Sequence, residues 1–258
     1  MEPNDELLSC IKRQGFAVVP NVADAGEVSN MREALAIAID EDLKQWSDNP
    51  YYKDHWMVHN LMLRGAAFVR LLENETIHAY LSALLSPHCV LYAYTSSSMP
   101  PKGGNYSGRV HVDARDPVPG YWRNVGVLLA LDDFTEESGA TYFLPRSFER
   151  ADAPSEEEFF AGAVRVFPKS GDAIIFNAGT WHHGGRNNTE KARHAVTMNV
   201  CRFDARQRFD YPRMVTENIL RQIGPVGKRF LGFDVRTPSS LEEYYVAPED
   251  RVFKPGQY

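Results

Sequence analysis

The chain has 258 residues, a formal net charge of −6 and a hydrophobic content of 43 %. This length allows one large domain with a buried core, and the acidic balance argues against the basic field that nucleic-acid binding requires. No apolar run reaches 18 residues, so we expect no membrane span and no membrane partner. Three cysteines without C-x-x-C spacing favour neither a disulfide framework nor a zinc site, which predicts a reducing, cytoplasmic location.

The N-terminal part, up to about residue 88, is predicted to be mostly helical. Asp24 and Glu27 have the spacing of a capping box, and apolar residues recur at helical spacing after them. A second apolar stripe ends where a Ser-Pro pair stops the helix. The predicted elements are a strand over Phe16–Val19, a helix from Val28 to Trp46 and a helix from Ile77 to Leu85.

The segment from about residue 89 to residue 204 alternates β-favouring runs with turn residues. Seven strands at such short spacing are typical of a sandwich or barrel. After about residue 205 the apolar positions predict one more helix and a tail, so helices flank a single β core within one domain, residues 1–258. The strand candidates are CVLYAYTSSS, RVHVD, NVGVLLALDDF, ATYFL, VRVF, DAIIFN and HAVTMNVCRF, and the helix carries Met214, Ile219, Leu220 and Ile223.

His111 and Asp113 place an imidazole and a carboxylate two residues apart in the strand candidate RVHVD. The period of two points both side chains to the same face, where they can share one metal. A third ligand would complete a 2-His-1-carboxylate triad with open positions, which is the arrangement of oxygen-activating iron(II) enzymes.

A second polar group follows a later strand. His182 and His183 precede a turn rich in Gly and Asn, and Arg193 begins the returning strand. Only one of the two histidines can face a metal, because successive side chains of a strand point to opposite faces. A guanidinium aimed into a closed β cavity needs an anion, and its fork suits the distal carboxylate of a dicarboxylate such as 2-oxoglutarate.

Together these motifs resemble the phytanoyl-CoA dioxygenase-like (PhyH-type) family of iron- and 2-oxoglutarate-dependent oxygenases. The family pattern joins H-x-D, a short strand that begins with Gly and ends in Pro, and a distal His followed by Gly, Asn and Arg. Two further segments are similar to the family. They are the N-terminal segment IKRQGFAVVPNVADAGEVSNMREAL, which resembles the family's first strand and helix, and the segment KRFLG near the C-terminus. The matching residues are His111-Val112-Asp113, Gly139 to Pro145, His182, Gly185, Asn187 and Arg193.

The resemblance implies an α+β fold with a double-stranded β-helix core, of the jelly-roll or cupin-like kind, flanked by helices. It implies Fe(II), 2-oxoglutarate as co-substrate and O2, with Arg193 and Thr141 binding 2-oxoglutarate. The family spacing selects His182 over His183 as the third ligand. The implied metal ligands are His111, Asp113 and His182. Because related halogenases lack the carboxylate, the aspartate favours hydroxylation, desaturation, epoxidation or cyclisation over halogenation.

The substrate is expected to be a small organic molecule. Aromatic and polar side chains near the predicted barrel rim are candidates for contacting it, and they favour a compact polar or aromatic compound. The candidates are Tyr94, Trp122, Arg123 and Trp181. Nothing in the sequence indicates an oligomeric state.

Two other functions compete with this interpretation. A cupin-type metal oxygenase or isomerase would use the same barrel without 2-oxoglutarate, but it would leave Arg193 unexplained. A non-catalytic barrel that serves as a binding module would be expected to lose at least one of the four residues, and all four are present. The residues in question are His111, Asp113, His182 and Arg193.

Overall fold

Two antiparallel sheets form the centre of the computed structural model, which describes residues 2–254. The strands are β1 (Phe16–Val19), β2 (Val90–Ser96), β3 (Asn124–Ala130), β4 (Tyr142–Phe143), β5 (Val164–Arg165), β6 (Ala173–Asn177), β7 (His182–His183) and β8 (Ala195–Cys201). The larger sheet has the order β1-β6-β3-β8-β2, and the smaller sheet has the order β5-β4-β7. The non-sequential order means that each sheet combines strands that are distant in the chain.

The central strands of the larger sheet are buried on both faces, so their sequences are almost continuously apolar. On β3, Val127 and Leu129 pack with the helices, whereas Leu128 and Ala130 face the other way. Leu128 and Ala130 belong to a cluster that also contains Phe143 of the smaller sheet. The space between the two sheets is therefore a separate interior, and polar side chains can be enclosed there.

The helices lie mainly before and after the β strands. The long helix α2 begins with the predicted capping box, in which the Asp24 side chain accepts from the Glu27 amide at 2.8 Å and Glu27 accepts from the Asp24 amide at 2.9 Å. Within residues 2–254, none of the helices combines the length and apolar character that crossing a membrane requires. The helices are α1 (Asp5–Gln14), α2 (Ala25–Trp46), α3 (Ala66–Leu71), α4 (Glu75–Leu84), α5 (Glu156–Gly162), α6 (Tyr211–Met214), α7 (Glu217–Gln222), α8 (Pro225–Phe230) and α9 (Leu241–Tyr244).

Three local predictions differ from the structure. Helix α1 was not expected. The single helix predicted around Met214 to Ile223 is two helices, because Val215 is extended and the Thr216 side chain caps α7 by accepting from the Ile219 amide. The candidate RVHVD forms only an isolated bridge between His111 and His182 instead of a strand.

Candidate metal and co-substrate site

Three side chains from two chain segments converge at the edge of the interior between the sheets, where His182 is buried, His111 is half-buried and Asp113 is exposed. The ligand atoms of His111, Asp113 and His182 all lie within 4.8 Å of one another. The Asp113 Oδ1 atom is 3.7 Å from His111 Nε2 and 3.8 Å from His182 Nε2. Paired backbone hydrogen bonds of 3.0 and 2.9 Å between His111 and His182 hold the two segments together. The isolated bridge thus performs the positioning that a full strand was expected to provide.

Hydrogen bonds on the far side of each imidazole orient its ring. His111 Nδ1 lies 2.8 Å from the Arg109 carbonyl, and His182 Nδ1 lies 2.9 Å from the Thr180 carbonyl. A carbonyl can only accept, so each Nδ1 carries the proton and each Nε2 keeps its lone pair. The lone pairs point to the shared position beside Asp113, as metal-binding histidines require.

Burial keeps the His111 ring neutral. Desolvation, together with the neighbouring His182, lowers the pKa of His111 to about 3. A neutral imidazole is the form that binds metal, so this side chain is ready to coordinate at neutral pH.

The low pKa of His111 predicts acid sensitivity of the metal-free protein. Because the pKa in the folded state lies below the ordinary value of 6.5, the unfolded chain binds more protons in acid. The stability from this residue is complete above about pH 6.5 and is lost as the pH falls toward 3, at about 1.4 kcal/mol per pH unit. Urea unfolding at several pH values between 7.5 and 5 gives the free energy of unfolding as a function of pH. This free energy should fall less steeply with decreasing pH in His111→Asn than in the wild type. An equal pH dependence of the free energy of unfolding in the two proteins would contradict this prediction.

Arg193 lies in the same interior as the three side chains. It is 2 % exposed, and its Nε and Nη1 atoms find no hydrogen-bond partner in the described part of the chain. The guanidinium stacks 4.0 Å from the ring centre of Phe134, and burial lowers its pKa to about 10 while Asp132 opposes the shift. A buried cation with unused donors requires an anion, and its fork matches a carboxylate.

A cavity that opens to solvent connects Arg193 with the three converging side chains, and its empty volume, open solvent included, is about 440 Å³. Its apolar walls come from Leu128, Phe143 and Phe176, which are buried. Hydroxyl groups line it as well. The other lining residues are Ser97, Tyr106, Ser107, His111, Asp113, Thr141, His182, Gly184, Arg193 and Thr197. The residues present therefore fit both a divalent metal and a dicarboxylate.

Two threonines border this cavity beside Arg193. Thr141 is 5 % exposed and precedes β4, where the sequence placed it. Thr197 was not predicted, although its hydroxyl is buried without a partner among residues 2–254. Thr197 lies four residues after Arg193, and strand alternation puts the two on the same face. Counting alternate positions from Arg193 could have identified it.

The turn between His182 and Arg193 is held by a close approach of two glycines. Gly139 has φ of +85°, and a Cβ atom there would lie 2.5 Å from the Gly185 carbonyl oxygen. A side chain at this position is therefore excluded by both conformation and space. The Asn187 side chain also donates to the carbonyls of Pro100 and Lys191, at 3.0 and 2.7 Å. These contacts explain the Gly139, Gly185 and Asn187 positions of the motif.

His183 points away from the cavity, as strand alternation predicts. Its ring lies 5.3 Å from the ring of Phe160 and 6.1 Å from that of Tyr142. Trp181 lies on the same side of the chain as His183, and it does not line the cavity either.

Of the other candidate substrate residues, Tyr94 lies elsewhere. It is fully buried against the helices, and its hydroxyl donates to the Phe68 carbonyl at 3.0 Å. The expectation that Tyr94 contacts substrate is therefore corrected: its place on β2 faces the helices, not the interior between the sheets. Trp122 and Arg123 line a second cavity next to the first.

One cavity thus joins a His/Asp/His trio to an unpaired buried arginine between two sheets. Two histidines and one carboxylate around one point are the arrangement of an oxygenase with a facial metal triad. Residues 11–195 match the family model described as phytanoyl-CoA dioxygenase (PhyH). The chain therefore belongs to this family.

Relatives and solved structures agree with the family match. The chain is 25 % identical to the uncharacterized protein Rv1501 of Mycobacterium tuberculosis, over 98 % of this chain and 94 % of that protein. It is 29 % identical to dioxygenase ALT11 of Alternaria alternata, over 92 % of this chain and 84 % of that protein. Its fold is similar to that of EctD from S. alaskensis, solved with 2-oxoglutarate and 5-hydroxyectoine, with a TM-score of 0.66, 16 % identity and coverage of 79 % and 78 %.

A second solved structure is the α-ketoglutarate-dependent epimerase SnoN from nogalamycin biosynthesis, with a TM-score of 0.58, 22 % identity and coverage of 77 % and 80 %. The predicted family resemblance, the α+β fold class with its cupin-like core, and the enzyme class are thereby confirmed. The chain is an Fe(II)/2-oxoglutarate-dependent dioxygenase that acts on a small molecule.

Proposed function

We propose that His111, Asp113 and His182 hold the iron and that Arg193, with Thr141, binds the distal carboxylate of 2-oxoglutarate. The observation that carries the proposal is the unpartnered guanidinium in the cavity of the three ligands. A dicarboxylate in this cavity would satisfy the buried donors of Arg193 at one end and reach the metal position at the other.

The protein's own contribution is to bind and orient. Bound iron(II) with 2-oxoglutarate supplies the oxygen activation that oxidises a C–H bond of the substrate. His111 and His182 present lone pairs in a fixed direction, because carbonyls hold their Nδ1 protons. Leu128, Phe143 and Phe176 give the cavity an apolar wall beside the position of the reacting groups.

The outcome of the reaction is proposed to be hydroxylation, desaturation, epoxidation or cyclisation in small-molecule metabolism. Halogenation is not proposed, because the carboxylate of Asp113 would take the coordination position that a halide needs. We also propose that the chain is a single domain with a helical flank to about residue 88, a β core to about 204 and a C-terminal helical part. A cytoplasmic location agrees with the free thiols of Cys10, Cys89 and Cys201.

The buried arginine also weighs against the alternatives. A cupin-type metal enzyme without 2-oxoglutarate has no use for an unpaired guanidinium, whose burial costs free energy. A binding module has no need for two imidazoles that are each oriented by a carbonyl toward one point. Retention of Arg193 and the three ligands in one cavity therefore favours the dioxygenase function.

The test is anaerobic titration of iron(II) and 2-oxoglutarate into metal-free protein, followed by visible spectroscopy. The chelate should produce a weak metal-to-ligand charge-transfer band. We expect His182→Ala to abolish the band and His183→Ala, the adjacent matched control, to retain it. Absence of the band in well-folded wild-type protein, or its persistence in His182→Ala, would contradict the proposal.

A further inference from the structure

The face of β8 that lines the metal cavity carries a hydroxyl group, that of Thr197. In the ladder, Thr197 lies opposite Leu128 of β3 and opposite Thr95 of β2. Its neighbours Val196 and Met198 pack with the helices, whereas Leu128 belongs to the cluster between the sheets. Strand alternation therefore directs the Thr197 side chain into the interior that holds the candidate site.

The side chain that lies between Arg193 and Thr197 on this face is the methyl group of Ala195. The ladder extends to Arg193, which bridges Met99, so alternation holds for Arg193, Ala195 and Thr197 alike. Ala195 pairs with Ala130 of β3, and both side chains are fully buried. A ligand that reaches the guanidinium of Arg193 therefore has only a small β8 side chain, Ala195, between it and the Thr197 hydroxyl.

The Thr197 hydroxyl is buried and finds no hydrogen-bond partner among residues 2–254. Elsewhere in the fold a buried threonine is paired, since the Thr180 hydroxyl donates to the Gly15 carbonyl at 3.2 Å. A buried hydroxyl without a partner is destabilising, and valine would fill the same space without that cost. The hydroxyl is therefore best explained by a ligand that binds in the cavity.

The two unpartnered groups restrict the chemistry of this ligand. The guanidinium of Arg193 has donors and no acceptor, and its Nε and Nη1 atoms are unused in the described part of the chain. A neutral ligand would leave this buried charge uncompensated. A carboxylate compensates the charge and accepts from the Thr197 hydroxyl at the same time, so one carboxylate satisfies both residues.

We infer that the Thr197 hydroxyl donates a hydrogen bond to the distal carboxylate of 2-oxoglutarate, beside Arg193. Thr197 is thus a binding residue for the co-substrate, in addition to Arg193 and Thr141. Thr141 precedes β4 of the smaller sheet and Thr197 lies on β8 of the larger one, so the carboxylate is held from both sheets. The inference rests on the proposed function, because it adds a residue to the same site.

The test is an anaerobic titration of the iron(II)-loaded protein with 2-oxoglutarate, in which the charge-transfer band gives the Kd. Thr197→Val keeps the shape and removes the hydroxyl, so we expect the Kd to rise by at least about ten-fold, because hydrogen bonds to charged groups are the strong ones. Thr197→Ser keeps the hydroxyl and should stay within about three-fold of the wild type. The matched control is Thr95→Val. It removes a buried hydroxyl that lies directly opposite but does not line the cavity, and it should leave the Kd unchanged.

A second ligand identifies which end of the co-substrate Thr197 contacts. 2-Oxopentanoate has the keto-acid end of 2-oxoglutarate and a methyl group in place of the distal carboxylate. Thr197→Val should bind 2-oxopentanoate as tightly as the wild type does. Urea unfolding of the metal-free, ligand-free protein should also find Thr197→Val at least as stable as the wild type, because no hydrogen bond among residues 2–254 is lost.

Three results would overturn the inference: an unchanged Kd for 2-oxoglutarate in Thr197→Val, an equal weakening of 2-oxopentanoate binding, or unfolding of the ligand-free variant at a lower urea concentration. The last two would mean that the hydroxyl serves the keto-acid end or the fold. If the wild type shows the charge-transfer band, any of these results defeats the inference alone. A missing band in well-folded wild-type protein defeats the proposed function, and Thr197 then has no co-substrate to bind.

Discussion

Replacement of Arg193 with Met is expected to raise the KM for 2-oxoglutarate by at least about a hundred-fold, since two charge-assisted hydrogen bonds are lost. The same change should stabilise the ligand-free protein. Arg193 is buried with two unpartnered donors, and methionine would keep the contact with the Phe134 ring without a desolvated charge. The gain in the free energy of unfolding should be about 1–3 kcal/mol.

Two measurements check this prediction. Steady-state assays of succinate formation give the KM, and urea unfolding with and without 2-oxoglutarate gives the stability. Iron(II) and 2-oxoglutarate should raise the unfolding midpoint of the wild type but have much less effect on Arg193→Met. The control is Arg70→Met, which removes an exposed arginine on α3. If Arg193→Met destabilised the ligand-free protein and left the KM unchanged, Arg193 would be a structural residue instead.

Arg193→Met is thus expected to weaken binding of 2-oxoglutarate and to stabilise the ligand-free protein, so Arg193 serves binding at the expense of stability. Natural proteins retain a group that lowers the free energy of unfolding where function requires it, and favourable interactions elsewhere in the fold compensate for it. Here the apolar strands β3 and β8 supply the surrounding burial, and Arg193 lies two residues before β8. A ligand that neutralises Arg193 therefore stabilises the fold and occupies the active site at once.

Local chemistry made part of this structure predictable. The capping box of Asp24 and Glu27 depends on residues three apart, so it followed from the sequence. Strand alternation allowed only one of His182 and His183 to face the cavity, and the family spacing selected His182. The shared position of His111 and Asp113 was also expected, although a single bridge to His182 creates it instead of a strand.

What the sequence did not predict depends on contacts across the fold. The direction of Tyr94 is set by which face of β2 meets the helices, and the buried Phe68 carbonyl fixes its hydroxyl. The break at Val215 depends on the Thr216 cap, which a continuous apolar stripe conceals. The second cavity combines segments around Ala114, Arg123 and Phe148, and no spacing rule relates them.

Replacement of Asp113 with Ala is expected to abolish iron-dependent turnover while the fold is retained. Among residues 2–254 the Asp113 carboxylate has ion-pair distances only to the two histidines, at 3.7 and 3.8 Å, so its loss breaks no other ion pair of this part of the chain. The free energy of unfolding of the metal-free protein should change by less than about 0.5 kcal/mol. Loss of an outer partner of a metal ligand costs about 10–100-fold in affinity, so loss of a direct ligand should weaken iron binding by at least about a hundred-fold.

Iron binding is measured by anaerobic titration, turnover by succinate release and stability by urea unfolding. Asp152→Ala, which removes an exposed carboxylate far along the chain, is the matched control and should behave as the wild type in all three. Normal turnover in Asp113→Ala would mean that the metal does not need this carboxylate. Loss of the fold together with activity would instead make Asp113 a structural residue. Retained fold with lost iron binding is the combination that the three-ligand site requires, because a metal held by His111 and His182 alone lacks the charge that neutralises it.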